Sequence, residues 1–233
     1  MQLSEILEYL MYGDLANLAI GSDEEGRIRE KDLPKVISNI NLGLIDLHKR
    51  FPILSKAVGI ELYEHISDYI LDKKYSYTLK NPEVRYHYLM DNPSEPFNND
   101  VIKIERVFTE EYHEFPLNME NDSLSLYTPS YNRIQVPYPI QENVLLVEYR
   151  AYPARIEPTI ADPSSVYVEL PEALLECLVA YVSDKLYSRV GKERPEANLY
   201  LQKYELECNR IDSLGVFNTT HRGNLKLEIN QWV

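Results

Sequence analysis

Apolar residues recur at three- and four-residue spacings near both ends of the chain and at alternate positions through its middle, which predicts helices flanking a β-rich insert. Residues 1–57 read as helical. Leu3, Ile6, Leu7 and Leu10 mark a short first helix with Ser4 available as its cap. The DLANLAI stretch between Gly13 and Gly21 reads as a turn-like element, and GSDEEGRIREKD as an exposed loop without an apolar period. Leu33, Val36, Ile37, Ile40, Leu44, Leu47 and Phe51 then form one long stripe, opened by Asp32 and Pro34 and closed before Pro52. Gly43 inside it costs about 1 kcal/mol relative to alanine. That cost is tolerable where a second helix passes close, so this helix is expected to pack against the C-terminal hairpin.

The hairpin occupies 169–215. Leu174, Leu175, Leu178, Val182 and Leu186 share one helical face, and Ala197, Leu201, Tyr204, Cys208 and Ile211 follow a four-three alternation like a heptad seam. Between them Gly191 suits a helix end and Pro195 a helix start. With the turn near Lys192, antiparallel pairing sets Cys177 level with Cys208 and Tyr181 level with Tyr204. The expected bundle core is Leu44, Leu47, Phe51, Leu178, Val182, Leu201 and Tyr204.

Residues 58–168 change character. Alternation runs through Tyr75, Tyr77 and Leu79, through Ile102 and Ile104 before Val107, and through Leu124 and Leu126. It continues in Ile134 and Val136, and in Leu145, Val147 and Tyr149. Punctuated by Asn-Pro turns and isolated prolines, these read as strands of a β-sandwich or barrel-like domain. Glu61–Leu71 fits the helical and the strand period equally. The prolines of TPSYNRIQVPYPIQEN place that stretch at a sheet edge or in a loop, because proline cannot donate to a ladder.

After Gly215, residues 216–233 leave the helical pattern. Leu225, Leu227 and Ile229 alternate with polar residues, and Trp232 and Val233 follow. Ordering each residue costs about 1–2 kcal/mol in backbone entropy, more than so few apolar side chains return on burial. The segment therefore reads as an extended arm that needs a partner's surface, the alternative being a strand completing the chain's own β-domain. The whole is α+β: an antiparallel helical bundle with an inserted β-domain and an extended C-terminal arm.

Composition narrows the function classes. A net charge of -13 opposes a general nucleic-acid-binding surface, which needs clustered Lys and Arg. No apolar run approaches the roughly 20 residues of a membrane span, and the first residues lack the order of a signal peptide, so a cytosolic origin without a membrane is expected. The two cysteines read as small core hydrophobes. His48, His65, His87, His113 and His221 lack metal-ligand spacing, and the glycines form no phosphate-cradling loop, so no metal, cofactor or catalytic residue is assigned. Glu110, Glu111 and Glu114 around His113 are the one cluster that would serve acid–base hydrolysis, and a solvated hairpin loop explains them as well.

Several strings, in this order, carry a resemblance: NLGLIDLHKRF (Asn41–Phe51), VIKIERVF (Val101–Phe108), PSYNRIQVP (Pro129–Pro137), LLVEYRA (Leu145–Ala151) and LPEALLECLVAYVSDKLYSR (Leu170–Arg189). Together they resemble the head-to-tail adaptor, or connector, proteins of short-tailed bacteriophages. The resemblance implies a non-enzymatic structural virion protein made in the host cytoplasm and placed in the neck of the tail. It implies a twelve-membered ring beneath the portal protein that extends the DNA channel, passes genomic DNA without reading its sequence, and docks the tail nozzle or tail fibre proteins. Leu225, Leu227, Ile229, Trp232 and Val233 would then be the portal-binding arm. Two other readings are a tyrosine-rich module binding a glycan or protein on the host surface, and a hydrolase using the Glu110–Glu114 cluster.

Overall fold

The computed structural model describes residues 1–13, 15, 28–94, 96–160, 162–190 and 196–217, with 188–190 and 196–198 described by backbone alone. Mixed α and β, the chain divides into two units, one made of Met1–Ile53 with the chain from Ala154 on, the other of Leu54–Pro153. Of the expected turn element only Leu15 is described, and of the expected loop 21–32 only residues 28–32; the expected arm beyond Phe217 lies outside the described residues.

The first unit holds helices α1 (Leu3–Tyr12), α2 (Leu33–Arg50), α3 (Leu175–Val190) and α4 (Glu196–Leu214). Helix α1 starts on Gln2, whose backbone N–H donates to the Glu5 carboxylate at 2.9 Å; Ser4, expected to cap it, lies inside the helix. Pro34 sits in the first turn of α2, where its missing N–H needs no partner. At the far end the extended backbone of Phe51 stops the helix, its N–H donating to the Leu47 carbonyl at 2.7 Å. A Cβ on Gly43 would meet Leu178 Cδ1 at 2.6 Å and Tyr181 Cδ1 at 3.0 Å, so the glycine admits side chains of α3 against the α2 backbone.

Leu44, Leu47, Phe51, Leu178, Val182 and Tyr204 are buried in one cluster with Ile37, Ile40 and Leu174. Leu201, expected beside them, is 45% exposed. Tyr181 meets Tyr204 at 5.3 Å and Tyr187 stacks on Tyr200 at 4.9 Å, which fixes α3 and α4 as antiparallel. At 3.6 residues per turn the inward point one turn before Tyr204 falls between positions 200 and 201, and the long ring of Tyr200 takes it.

Residues 154–168, expected in the β-rich insert, pack with the helices instead. The Asn41 amide holds the Ile156 backbone from both sides, donating to its carbonyl at 2.8 Å and accepting its N–H at 2.9 Å. Leu3 N–H donates to Val166 O at 2.9 Å, and Val168 N–H to Met1 O at 2.8 Å. Ile156 and Val168 join the helical core.

The second unit holds strands β1 (Ser55–Glu61), β2 (Asp68–Ile70), β3 (Leu89–Met90), β4 (Val101–Thr109), β5 (Tyr127–Ser130), β6 (Arg133–Gln135) and β7 (Val144–Ala151). They form two antiparallel sheets, in the orders β3-β1-β7-β4 and β2-β6-β5, and among the described residues neither closes into a barrel. Strand β7 alternates as expected, burying Leu145, Val147, Tyr149 and Ala151. Strand β4 does not: its buried residues are Val101, Ile104 and Val107, every third position. Its pairing with β7 slips at Ile102 and again at Glu105, and each extra residue shifts the inward phase by one. Tyr75 ends a short 3-10 turn, Leu124 is 67% exposed in a turn, and Glu61–Leu71 forms no helix, ending in β2.

Candidate functional site

The last described residues before the expected arm are held by α2 and α4. Gly215 takes φ 65, the left-handed conformation that ends a helix at low cost, and donates to the Asp212 carbonyl at 3.0 Å. The chain then places Phe217 on Phe51 with ring centroids 5.4 Å apart. Arg50, 6.0 Å from the Phe51 ring, is held by Glu205 at 2.9 Å and Asn209 at 2.6 Å. Phe217, the last described residue, is thus held where α4 meets the end of α2. Leu225, Leu227, Ile229, Trp232 and Val233 themselves lie outside the described residues.

Beneath this point runs a polar chain. Tyr204 donates its hydroxyl to the Asp46 carboxylate. Burial first, then this bond, pushes the Tyr204 phenol well above its ordinary range. Its neighbour Cys208 accepts a hydrogen bond from Cys177, which lowers the Cys208 thiol against the opposing effect of burial, with the Arg50 charge helping. The same bond, and then burial, raises Cys177. Both thiols are free and fully buried, so this chain ties α2, α3 and α4 together and presents no nucleophile to solvent.

Each unit also carries a cleft. In the helical unit one of about 800 Å³ is lined by Glu5, Glu8, Tyr9, Tyr12 and Glu172. The second, of about 500 Å³, belongs to the β unit and brings Glu110, Glu111 and His113 beside an apolar floor. Its acidic wall is a hairpin turn in which Thr109 N–H donates to His113 O at 2.9 Å and Tyr112 takes φ 61. The Glu111 and His113 side chains are 84% and 77% exposed, 3.6 Å apart. Glu110 and Glu114 are exposed as well. Three solvated carboxylates on a turn lack the enclosure that hydrolysis of a glycosidic bond demands.

Leu124, Tyr138 and Ile140 at the mouth of this cleft were not legible as a site. Leu124 reads as part of a strand, and the only signal for the others is the VPYPI string, whose apolar residues between prolines cannot enter a ladder. Among the described residues no group of three or more His, Cys, Asp or Glu is placed to hold a metal ion, and no helix is long and apolar enough to cross a membrane. No protein-family model matches the chain, and no curated protein matches it.

Proposed function

We propose that the chain is a head-to-tail adaptor of a short-tailed bacteriophage, a structural virion protein without catalytic activity. In this reading the helices form the bundle of a ring of about twelve copies beneath the portal, a figure that comes from the family resemblance and a closed cyclic assembly. The ring extends the DNA channel, and the β unit offers docking surface to the tail nozzle and fibres. The arm, residues 216–233, reaches the portal through Leu225, Leu227, Ile229, Trp232 and Val233.

The observation that supports the reading is how the chain is held just before residue 218. A glycine-terminated helix and the Phe51–Phe217 contact fix where the segment starts, while its own sequence is too poor in apolar residues to hold a place alone. Two further features agree with it. Leu199, Leu206 and Leu214 of α4 are 61%, 64% and 67% exposed, apolar area that neighbouring subunits of a ring would cover. A net charge of -13 lets a channel wall repel passing DNA.

Deleting Leu225–Val233 is expected to abolish attachment to the portal, read by co-sedimentation and by counting subunits in electron micrographs, while circular dichroism of the truncated chain stays unchanged. Attachment that survives the deletion overturns the reading. A second reading, host-surface recognition by the β unit, draws on Tyr112, Tyr131 and Tyr138, which are 75%, 62% and 79% exposed. It expects the labelled chain to bind host cells without the rest of the virion.

A further inference from the structure

The cleft of the β unit joins three features. Its floor is apolar, formed by Leu62, Leu126, Val136 and Leu145, each almost fully buried. Around its mouth Leu124, Tyr138 and Ile140 stand 67%, 79% and 63% exposed. Pro137 and Pro139 flank Tyr138 and restrict the backbone that presents it, so little conformational freedom remains to be lost when a partner covers the ring. One wall carries Glu110 and Glu111. Large apolar side chains held outward around a concave apolar floor mark a docking surface rather than scattered exposure.

An occupant that fits this cleft carries apolar side chains with cations able to face Glu110 and Glu111. The segment HRGNLKLEINQWV, residues 221–233, offers that chemistry: Leu225, Leu227 and Ile229 alternate, and Arg222 and Lys226 outnumber the one acidic side chain, Glu228, within an otherwise acidic protein. From Phe217 to Leu225 the chain spans eight residues, about 26 Å when extended, enough to carry the apolar positions clear of their own anchor.

We propose that this groove receives the arm of a second copy of the chain, its apolar residues on the floor and rim and its Arg222 and Lys226 facing Glu110 and Glu111. Such a contact is heterologous, arm to groove, and repeated around a closed cycle it joins each subunit to the next. The proposal rests on the arm reading above. It adds a berth on a neighbouring subunit that the arm occupies until a portal takes it.

Trp232 is the single tryptophan, so its emission reports the arm directly. In the full chain, emission is expected to shift to the blue as concentration rises, in step with self-association measured by analytical ultracentrifugation. Leu124→Glu with Ile140→Glu should weaken that association at least about tenfold, the size expected when central apolar contacts are lost. Reversing the wall, with Glu110→Lys and Glu111→Lys, should weaken it too. Adding Arg222→Glu and Lys226→Glu to the reversed wall should restore it. A synthetic peptide of residues 218–233 carrying Trp232→Phe, added to the unaltered chain, should return the emission to that of a solvated indole, which decides the matter even if a groove variant misfolds. Emission that ignores concentration, or that ignores both the groove variant and the peptide, overturns the proposal. Loss of portal attachment on truncation combined with that result would leave the adaptor reading standing and remove only this berth.

Discussion

The two units close their cores by different means. In the helical unit stripes of Leu, Ile and Val on α1, α2 and α3 meet Tyr204, Cys208 and Ile211 of α4, and the backbone is satisfied within the helices. The β unit has strands as short as two to four residues, so much of its backbone lies outside any ladder. Side chains take over that work. Tyr69 Oη accepts the Tyr63 N–H at 2.8 Å and donates to the Tyr63 carbonyl at 3.2 Å; Tyr88 does the same for Ile70 at 2.9 and 3.1 Å. Asn118 bonds Thr128 twice at 2.9 Å along the outer edge of β5. Twelve of the 19 tyrosines lie between 54 and 153, and for Tyr69 and Tyr88 this use of the hydroxyl gives a reason that needs no ligand.

The sharpest way to break the contrast is in the helical core. Leu44→Ala removes a side chain only 1% exposed that packs beside Gly43 and the α3 contact, and should cost about 2–5 kcal/mol. Hydrogen exchange should show α2 amides losing protection while β7 amides keep theirs, because the two cores are separate clusters. Equal loss in both units would show that the cores fold as one.

A smaller effect tests the side-chain closure of the β unit. Burial alone would raise the Asp91 carboxyl, but bonds from the Ser76 hydroxyl at 2.6 Å, the Thr78 hydroxyl at 2.8 Å and the Phe97 and Thr78 N–H groups hold it below its ordinary range. A folded value below the unfolded one contributes stability that is complete above about pH 4 and lost as pH falls through the depressed value. Asp91→Asn should therefore lower the urea midpoint at neutral pH by the equivalent of about 1–3 kcal/mol and flatten its acid dependence. An unchanged acid slope would mean that the carboxylate is incidental.

How legible this was depended on whether a local period equals the real one. Strand β7 and the Leu44–Leu47–Phe51 stripe keep a constant period, so counting residues finds their inward faces. The bulges of β4 change the phase twice within nine residues, so alternation pairs Ile102 with Ile104 where the buried residues are Val101, Ile104 and Val107. Residues 154–168 group with the β-rich insert on sequence, although the alternation stops at Tyr149, because the Asn41–Ile156 pair that ties them to α2 spans 115 positions and leaves no local trace. The end of α4 was half visible: Gly215 announced the helix end, whereas the Phe51–Phe217 contact depends on tertiary placement. The β cleft was hidden because its lining comes from separate loops, each unremarkable alone.

The smallest effect expected separates a heptad seam from the packing that is present. A strict seam makes Leu201 and Tyr204 equal partners, so Leu201→Ala would cost as much as any buried leucine. With Leu201 45% exposed and Tyr204 at 3%, much of the leucine surface is already in water, and Tyr200 occupies the inward place against Tyr187. Leu201→Ala should shift the chemical unfolding midpoint by less than about 1 kcal/mol, while Tyr204→Ala, which also strips Asp46 of its donor, should cost about 3 kcal/mol or more. Equal losses at the two positions would mean that in solution α4 turns Leu201 inward, and with it Gly215 and Phe217 would rotate away from Phe51.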